Sequence, residues 1–114
     1  MNLLFVCTAN KLRSATAETV FNEVEGINAI GAGTDKTAPT TVDSDLIEWA
    51  DVIFCMEQTH KNKVKRLFHS LLKNKRLVVL GIPDDYDYMQ PELIRLLKAR
   101  VRKSINYSFS VADS

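Results

Sequence analysis

Leu3-Leu4-Phe5-Val6-Cys7-Thr8-Ala9-Asn10-Lys11-Leu12-Arg13-Ser14, continuing into Ala15-Thr16-Ala17-Glu18-Thr19-Val20-Phe21, is the stretch on which the fold turns. Leu3 to Val6 are apolar without alternation, as in a strand covered on both faces in the middle of a parallel sheet. Beyond Arg13, the apolar residues Ala17, Val20, Phe21 and Val24 recur at three and four positions and share one helical face. Ser14 is placed to cap that helix, which is expected to run to about Glu25 and to stop at Gly26. A cysteine thus ends a strand, and an arginine six residues later begins a helix.

The pattern repeats along the chain. Ile27–Ile30 predicts a weak second strand, ended by the turn Gly31-Ala32-Gly33-Thr34, and 35–41 with Pro39 predict a loop. Thr41 or Asp43 can cap a short helix over 44–49, before an apolar third strand over 51–56. A helix over 57–72, broken near His69, puts Val64, Leu67, Phe68, Leu71 and Leu72 on one side. Arg76–Leu80 form the fourth strand. The acids and proline of 82–90 require a surface loop, and Pro91 suits the first turn of a last helix to about Lys103. Strict alternation of strand and helix implies an α/β/α sandwich around a four-stranded parallel sheet with right-handed crossovers. Residues 1–103 form one domain, and 104–114 a loosely packed tail.

Composition excludes several classes. No stretch approaches the roughly 20 apolar residues of a membrane span, and the apolar run from Leu3 is shorter than the roughly 7–15 residues of a secretory core. A cytoplasmic protein is expected, with Cys7 and Cys55 as reduced thiols. No CxxC, HExxH or Cys/His cluster suggests a metal, and no cofactor is implied. The net charge of +1 conceals segregation, since twelve of the fifteen basic residues lie in 60–76 and 95–103. Neither stretch interleaves aromatics as base-stacking surfaces do, so solvated helix faces are favoured over nucleic-acid binding.

Cys-x5-Arg between a strand and a helix has a definite chemistry. A helix N-terminus beside an arginine favours the thiolate, the nucleophilic form of cysteine. The intervening Thr8, Ala9, Asn10, Lys11 and Leu12 make a loop whose amides point inward, and Arg13 can grip two phosphate oxygens at once. Ser14 is close enough to donate to the cysteine sulfur, and Asn10 suits a left-handed position in the curve. In parallel α/β sheets ligands bind beyond the carboxyl ends of the strands, where the Cys7 and Asp84 loops both fall.

These residues resemble a known family. Val6-Cys7-x-x-Asn10-x-x-Arg13-Ser14-x-x-Ala17-Glu18 is similar to the V-C-x-G-N-x-C-R-S-P-x-A-E signature of low-molecular-weight protein tyrosine phosphatases. Gly31–Thr34 resembles their S-A-G-T, Met56-Glu57 their Met-Asp, and Pro83-Asp84-Asp85-Tyr86 their D-P-Y loop. The chain departs from the pattern at Ala9, Leu12, Ala15, Asp85 and Asp87, and is shorter between Thr34 and Asp45. The resemblance implies a phosphotyrosine phosphatase I-like fold and hydrolysis of phosphate monoesters, phosphotyrosine in proteins above all. Cys7 would be the nucleophile, Arg13 and the loop amides the phosphate ligands, Asp84 the general acid and Tyr86 a stacking wall of the cleft. Spacing alone does not separate Asp84 from Asp85 as the acid. A phosphopeptide-binding module of the same fold, or an enzyme like arsenate reductase, are the alternatives.

Overall fold

The computed structural model describes residues 1–9 and 11–105. Four strands, β1 (Asn2–Cys7), β2 (Asn28–Gly33), β3 (Val52–Cys55) and β4 (Arg76–Val79), alternate with the helices α1 (Arg13–Phe21), α2 (Ser44–Trp49), α3 (Gln58–Phe68) and α4 (Pro91–Ser104). All strand pairs are parallel, in the order β2-β1-β3-β4. The continuous apolar run of β1 is explained by its place between two strands. Leu3, Phe5 and Cys7 enter the layer under α1 and α4, while Leu4 and Val6 enter the layer under α2 and α3. Phe5 stacks on both Phe21 and Phe54, with ring centroids 5.3 and 5.2 Å apart. This is the expected three-layer α/β/α sandwich. The chain turns one way from β1 to β2 and the other way to β3, so the switch point lies where β1 and β3 end.

Several boundaries differ from expectation, each for a local reason. Helix α1 ends at Phe21, short of Glu25, because the Asn22 side chain turns to the β2 backbone and bonds both the N–H and the C=O of Ala29 (2.8 and 2.9 Å). Strand β2 does not stop before the glycines but continues through Gly31-Ala32-Gly33, pairing Gly33 with Cys7. Ser14 does not cap α1; Leu12 holds the cap position and contributes no side-chain bond. Asp43 caps α2 by accepting from the Leu46 amide at 2.8 Å, and α3 yields to a 3₁₀ turn at His69–Leu71. Ser104 closes α4 and Ile105 is buried against the core, so these two are not loose; the rest of the 104–114 segment lies outside the described residues, as does Asn10. Among the described residues no helix is long and apolar enough to cross a membrane, and no group of His, Cys, Asp and Glu is placed to hold a metal ion.

Candidate active site

The loop after β1 sits at the switch point and is held from three sides. Thr34 and Asp35, just past β2, donate their amides to the carbonyls of Cys7 and Thr8, both at 2.9 Å. Gly33 lies so close beneath that a Cβ there would come within 2.5 Å of the Thr8 oxygen and of the Ala38 Cβ. The absence of a side chain at Gly33 is what lets the loop rest on β2. From α1, Ser14 places its Oγ 2.9 Å from the buried Cys7 Sγ. A hydroxyl at that distance can donate to a thiolate and lower its energy.

Arg13 is buried, yet its charge is matched. Nη1 donates to Glu57 Oε1 (2.5 Å), just past β3, and to the carbonyl of Ile82 (2.8 Å), past β4. Nε stands 3.8 Å from Asp84 Oδ1. Since Nη1 serves as the anchor, Nε and Nη2 carry no hydrogen bond among the described residues. That edge of the guanidinium has the spacing for two oxygens of one phosphate.

Glu57 is itself tied down by a reciprocal cap at the start of α3. Its carboxylate accepts from the His60 backbone amide, and its own amide donates to His60 Nδ1 at 3.0 Å. With Nδ1 accepting, neutral His60 carries its proton on Nε2 and donates to Thr8 Oγ1 at 3.0 Å. Burial, and then the neighbouring Arg13, hold the His60 pKa below its ordinary value, against the opposite pull of Glu57 and Asp84. Thr8, His60, Glu57 and Arg13 thus form one chain of contacts from the loop to the β3–α3 junction and back.

The third loop brings Asp84 to the site. Leu80 and Ile82 donate their amides to the carbonyls of Cys55 and Met56 (2.9 Å each), and Gly81 between them takes φ +67°. Arg100 of α4 reaches the same segment, Nη1 donating to the carbonyls of Leu80 (2.5 Å) and Gly81 (3.2 Å). Three successive carbonyls ahead of Pro83 therefore accept from Arg100 or Arg13. Downstream, Met89 donates its amide to Thr16 Oγ1 and the Tyr88 hydroxyl meets Thr19 Oγ1, both at 2.9 Å, pinning the loop to α1.

Cys7, Thr8, Ala9, Lys11, Leu12, Arg13 and Asp84 line one cavity of about 300 Å³. Asp84, not Asp85, is the aspartate on its wall. Ser14 contacts it through the Cys7 sulfur. Tyr86 is elsewhere: it packs on the core and lines a separate depression with Glu92, Arg95, Leu96 and Ala99 of α4.

No family model matches this chain, and no curated protein matches it by sequence. Solved structures do match. A low-molecular-weight phosphotyrosine phosphatase from Vibrio cholerae is 20% identical, with 91% of this chain and 95% of that chain covered at a TM-score of 0.74. The tyrosine phosphatase Wzb from Escherichia coli, solved with phosphate, is 20% identical over 90% of this chain and 94% of that one, with a TM-score of 0.68. The chain has the low-molecular-weight phosphatase fold. An arginine phosphatase, YwlE, solved as a mutant with a phosphorylated active-site serine, also shares it (22% identity, 95% and 97% covered, TM-score 0.71).

On this fold, three residues to which the sequence reading gave no role take part in the site. Glu57 and His60 act through partners 44 and 52 residues away in the chain, and no local pattern marks such pairs. Two signals were available for Glu57: its likeness to the acid of the Met-Asp pair, and its place two residues past a strand that ends on the ligand-binding edge. Arg100 was read only as part of a basic stretch.

Proposed function

We propose that this protein hydrolyses phosphate monoesters, phosphotyrosine in proteins first among them, through a phosphocysteine at Cys7. The observation that carries this reading is the convergence of the Cys7 thiol, the open edge of Arg13 and the Asp84 carboxyl on one cavity. In the first step Cys7 Sγ attacks phosphorus, the P–S bond forms, and the bond to the leaving oxygen breaks as Asp84 gives that oxygen its proton. Arg13 Nε and Nη2 and the loop amides hold the non-bridging oxygens, where charge must be stabilised in the transition state. In the second step Asp84 takes a proton from water, the oxygen attacks phosphorus, and the P–S bond breaks. The thiolate leaves toward Ser14 Oγ.

The fold supports this reading, since its solved representatives include tyrosine and arginine phosphatases. An arsenate reductase chemistry finds less support, because it needs a second thiol to resolve the first. Cys55 faces the opposite layer of the core, and burial pushes its pKa to about 12. A cysteine nucleophile works only when reduced, which fits a cytoplasmic setting. The test is turnover of 4-nitrophenyl phosphate in reductant between about pH 5 and 7. Wild type should hydrolyse it, Cys7→Ser should not, and Asp84→Ala should be slowed, by about 10²-fold or more on phenyl phosphate, whose leaving oxygen needs the proton. No turnover by wild type would overturn the proposal; activity in Cys7→Ser would overturn the mechanism.

A further inference from the structure

Around the thiol and the guanidinium, the described residues at the rim of the cavity are Lys11, Leu12 and Asp84. Among the described residues no aromatic side chain lines the cavity, because Tyr86 faces α4. Leu12, 36% exposed, offers an aliphatic surface against which a ring can lie. Lys11 is exposed, and among the described residues it has neither an ion pair nor a hydrogen bond. The other cation of the cavity, Arg13, already faces Glu57 and Asp84. A surface lysine is ordinarily just solvated, but this one borders the space that a leaving group must fill. The carboxyl that lines the same cavity, Asp84, has to be protonated to act as the acid of the first step. At that moment the described residues of the rim present one formal charge to the leaving group, and it is positive.

We propose that Lys11 selects aryl phosphates whose leaving group carries a second anionic group. This rests on the phosphatase reading and narrows it from aryl phosphates in general to acidic ones. The expected preference is modest, because the ammonium is exposed: about two- to fivefold at low salt, shrinking at about 0.5 M.

The experiment compares kcat/KM for 4-carboxyphenyl phosphate and 4-carbamoylphenyl phosphate, which match in shape and differ in charge. Because the two leaving groups differ electronically, the deciding quantity is how their ratio changes between wild type and variant. Lys11→Gln should lower the carboxylate-to-amide ratio about two- to fivefold, Lys11→Glu should lower it further, and Lys11→Arg should keep it. A ratio unchanged in Lys11→Gln, or a change that persists undiminished in high salt, would overturn the proposal. Calorimetric titration of the same two compounds onto Cys7→Ser, with and without Lys11→Gln, reads the preference as a ratio of Kd without turnover. Failure of wild type to hydrolyse either compound would thus count against the phosphatase reading, while the Kd ratio still decides the role of Lys11. Phosphotyrosine peptides with Glu or Gln beside the phosphorylated residue form the second arm. The same change of ratio there assigns the anion to a protein substrate; its restriction to the small pair assigns it to a small-molecule one.

Discussion

Removing the Glu57 carboxylate should uncouple phosphate binding from catalysis. Glu57 does two jobs: it accepts from Arg13 Nη1, and it caps α3 within the reciprocal box with His60. Loss of an N-cap costs about 1 kcal/mol. The ion pair joins a buried Arg13 to a carboxylate whose side chain is 43% exposed, so its value lies well below that of a fully buried pair, at about 1–2 kcal/mol. Glu57→Ala should therefore lose about 2–3 kcal/mol of stability, and Glu57→Gln, which keeps one acceptor oxygen for the two donors, about 1–2 kcal/mol. Ile82 still holds Nη1 in either variant, so Arg13 stays in the site but is less firmly oriented. Glu57 also adds negative charge beside a site for an anion. Its neutralisation should tighten inorganic phosphate about twofold, while kcat falls about tenfold as the open edge of Arg13 loses its aim. The assay is urea unfolding of both variants together with kcat and the phosphate inhibition constant on 4-nitrophenyl phosphate. A kcat within twofold of wild type in both variants would refute the anchoring role. Weaker phosphate binding in proportion to the loss of kcat would show that Glu57 serves binding and not aim.

Other consequences follow from neighbouring contacts. Arg100→Met should free the segment carrying Asp84, lowering kcat/KM about tenfold for phenyl phosphate, which needs a proton on its leaving oxygen, and less than about threefold for 4-nitrophenyl phosphate. An equal fall for both would show general damage. Gly33→Ala should cost about 1–3 kcal/mol in chemical denaturation, because both the Thr8 carbonyl and Ala38 must give way; unchanged stability would mean the loop is not seated on β2. The depressed His60 pKa also sets a sign. The unfolded chain takes up a proton near pH 6.5 that the folded chain refuses, so stability from this residue is complete above about pH 6.5 and is lost as pH falls through the lower folded value. Denaturation across that window should show a shallower pH dependence in His60→Asn than in wild type, and identical slopes would remove His60 as the cause.

The parts of the fold legible in the sequence are those written in local periodicity. Leu3–Val6 announced a central strand because both faces of β1 are buried, and the spacing of Ala17, Val20 and Phe21 announced which side of α1 faces the sheet. In α3 the same reasoning holds for Val64 and Phe68 but fails for Leu67, which was read onto the core side and is 57% exposed. Cys7, Arg13 and the Asp84 loop could be placed on one edge because strand order alone decides that edge. Gly31–Gly33 could not be read as strand, since glycines leave no apolar pattern; the missing side chain at Gly33 answers to a loop that approaches from β1. Ser14 carried two readings with the same local signal, a helix cap or a partner for sulfur, and only the 2.9 Å approach to Cys7 separates them. The direction of Tyr86 depends on the course of the chain after Pro83, which is held before it by Arg13 and Arg100 at residues 80–82 and beyond it by Thr16 and Thr19 at Met89 and Tyr88, all remote in sequence.

The phosphocysteine itself is the most direct point of attack. Wild-type protein mixed with 4-nitrophenyl phosphate and quenched in acid within the first turnover should yield, by peptide mass mapping, one phosphoryl group on the peptide that contains Cys7. The label should vanish in Cys7→Ser and disappear on a chase with reaction buffer. Steady turnover with no phosphoryl group on Cys7, or with the group on His60, would contradict the account.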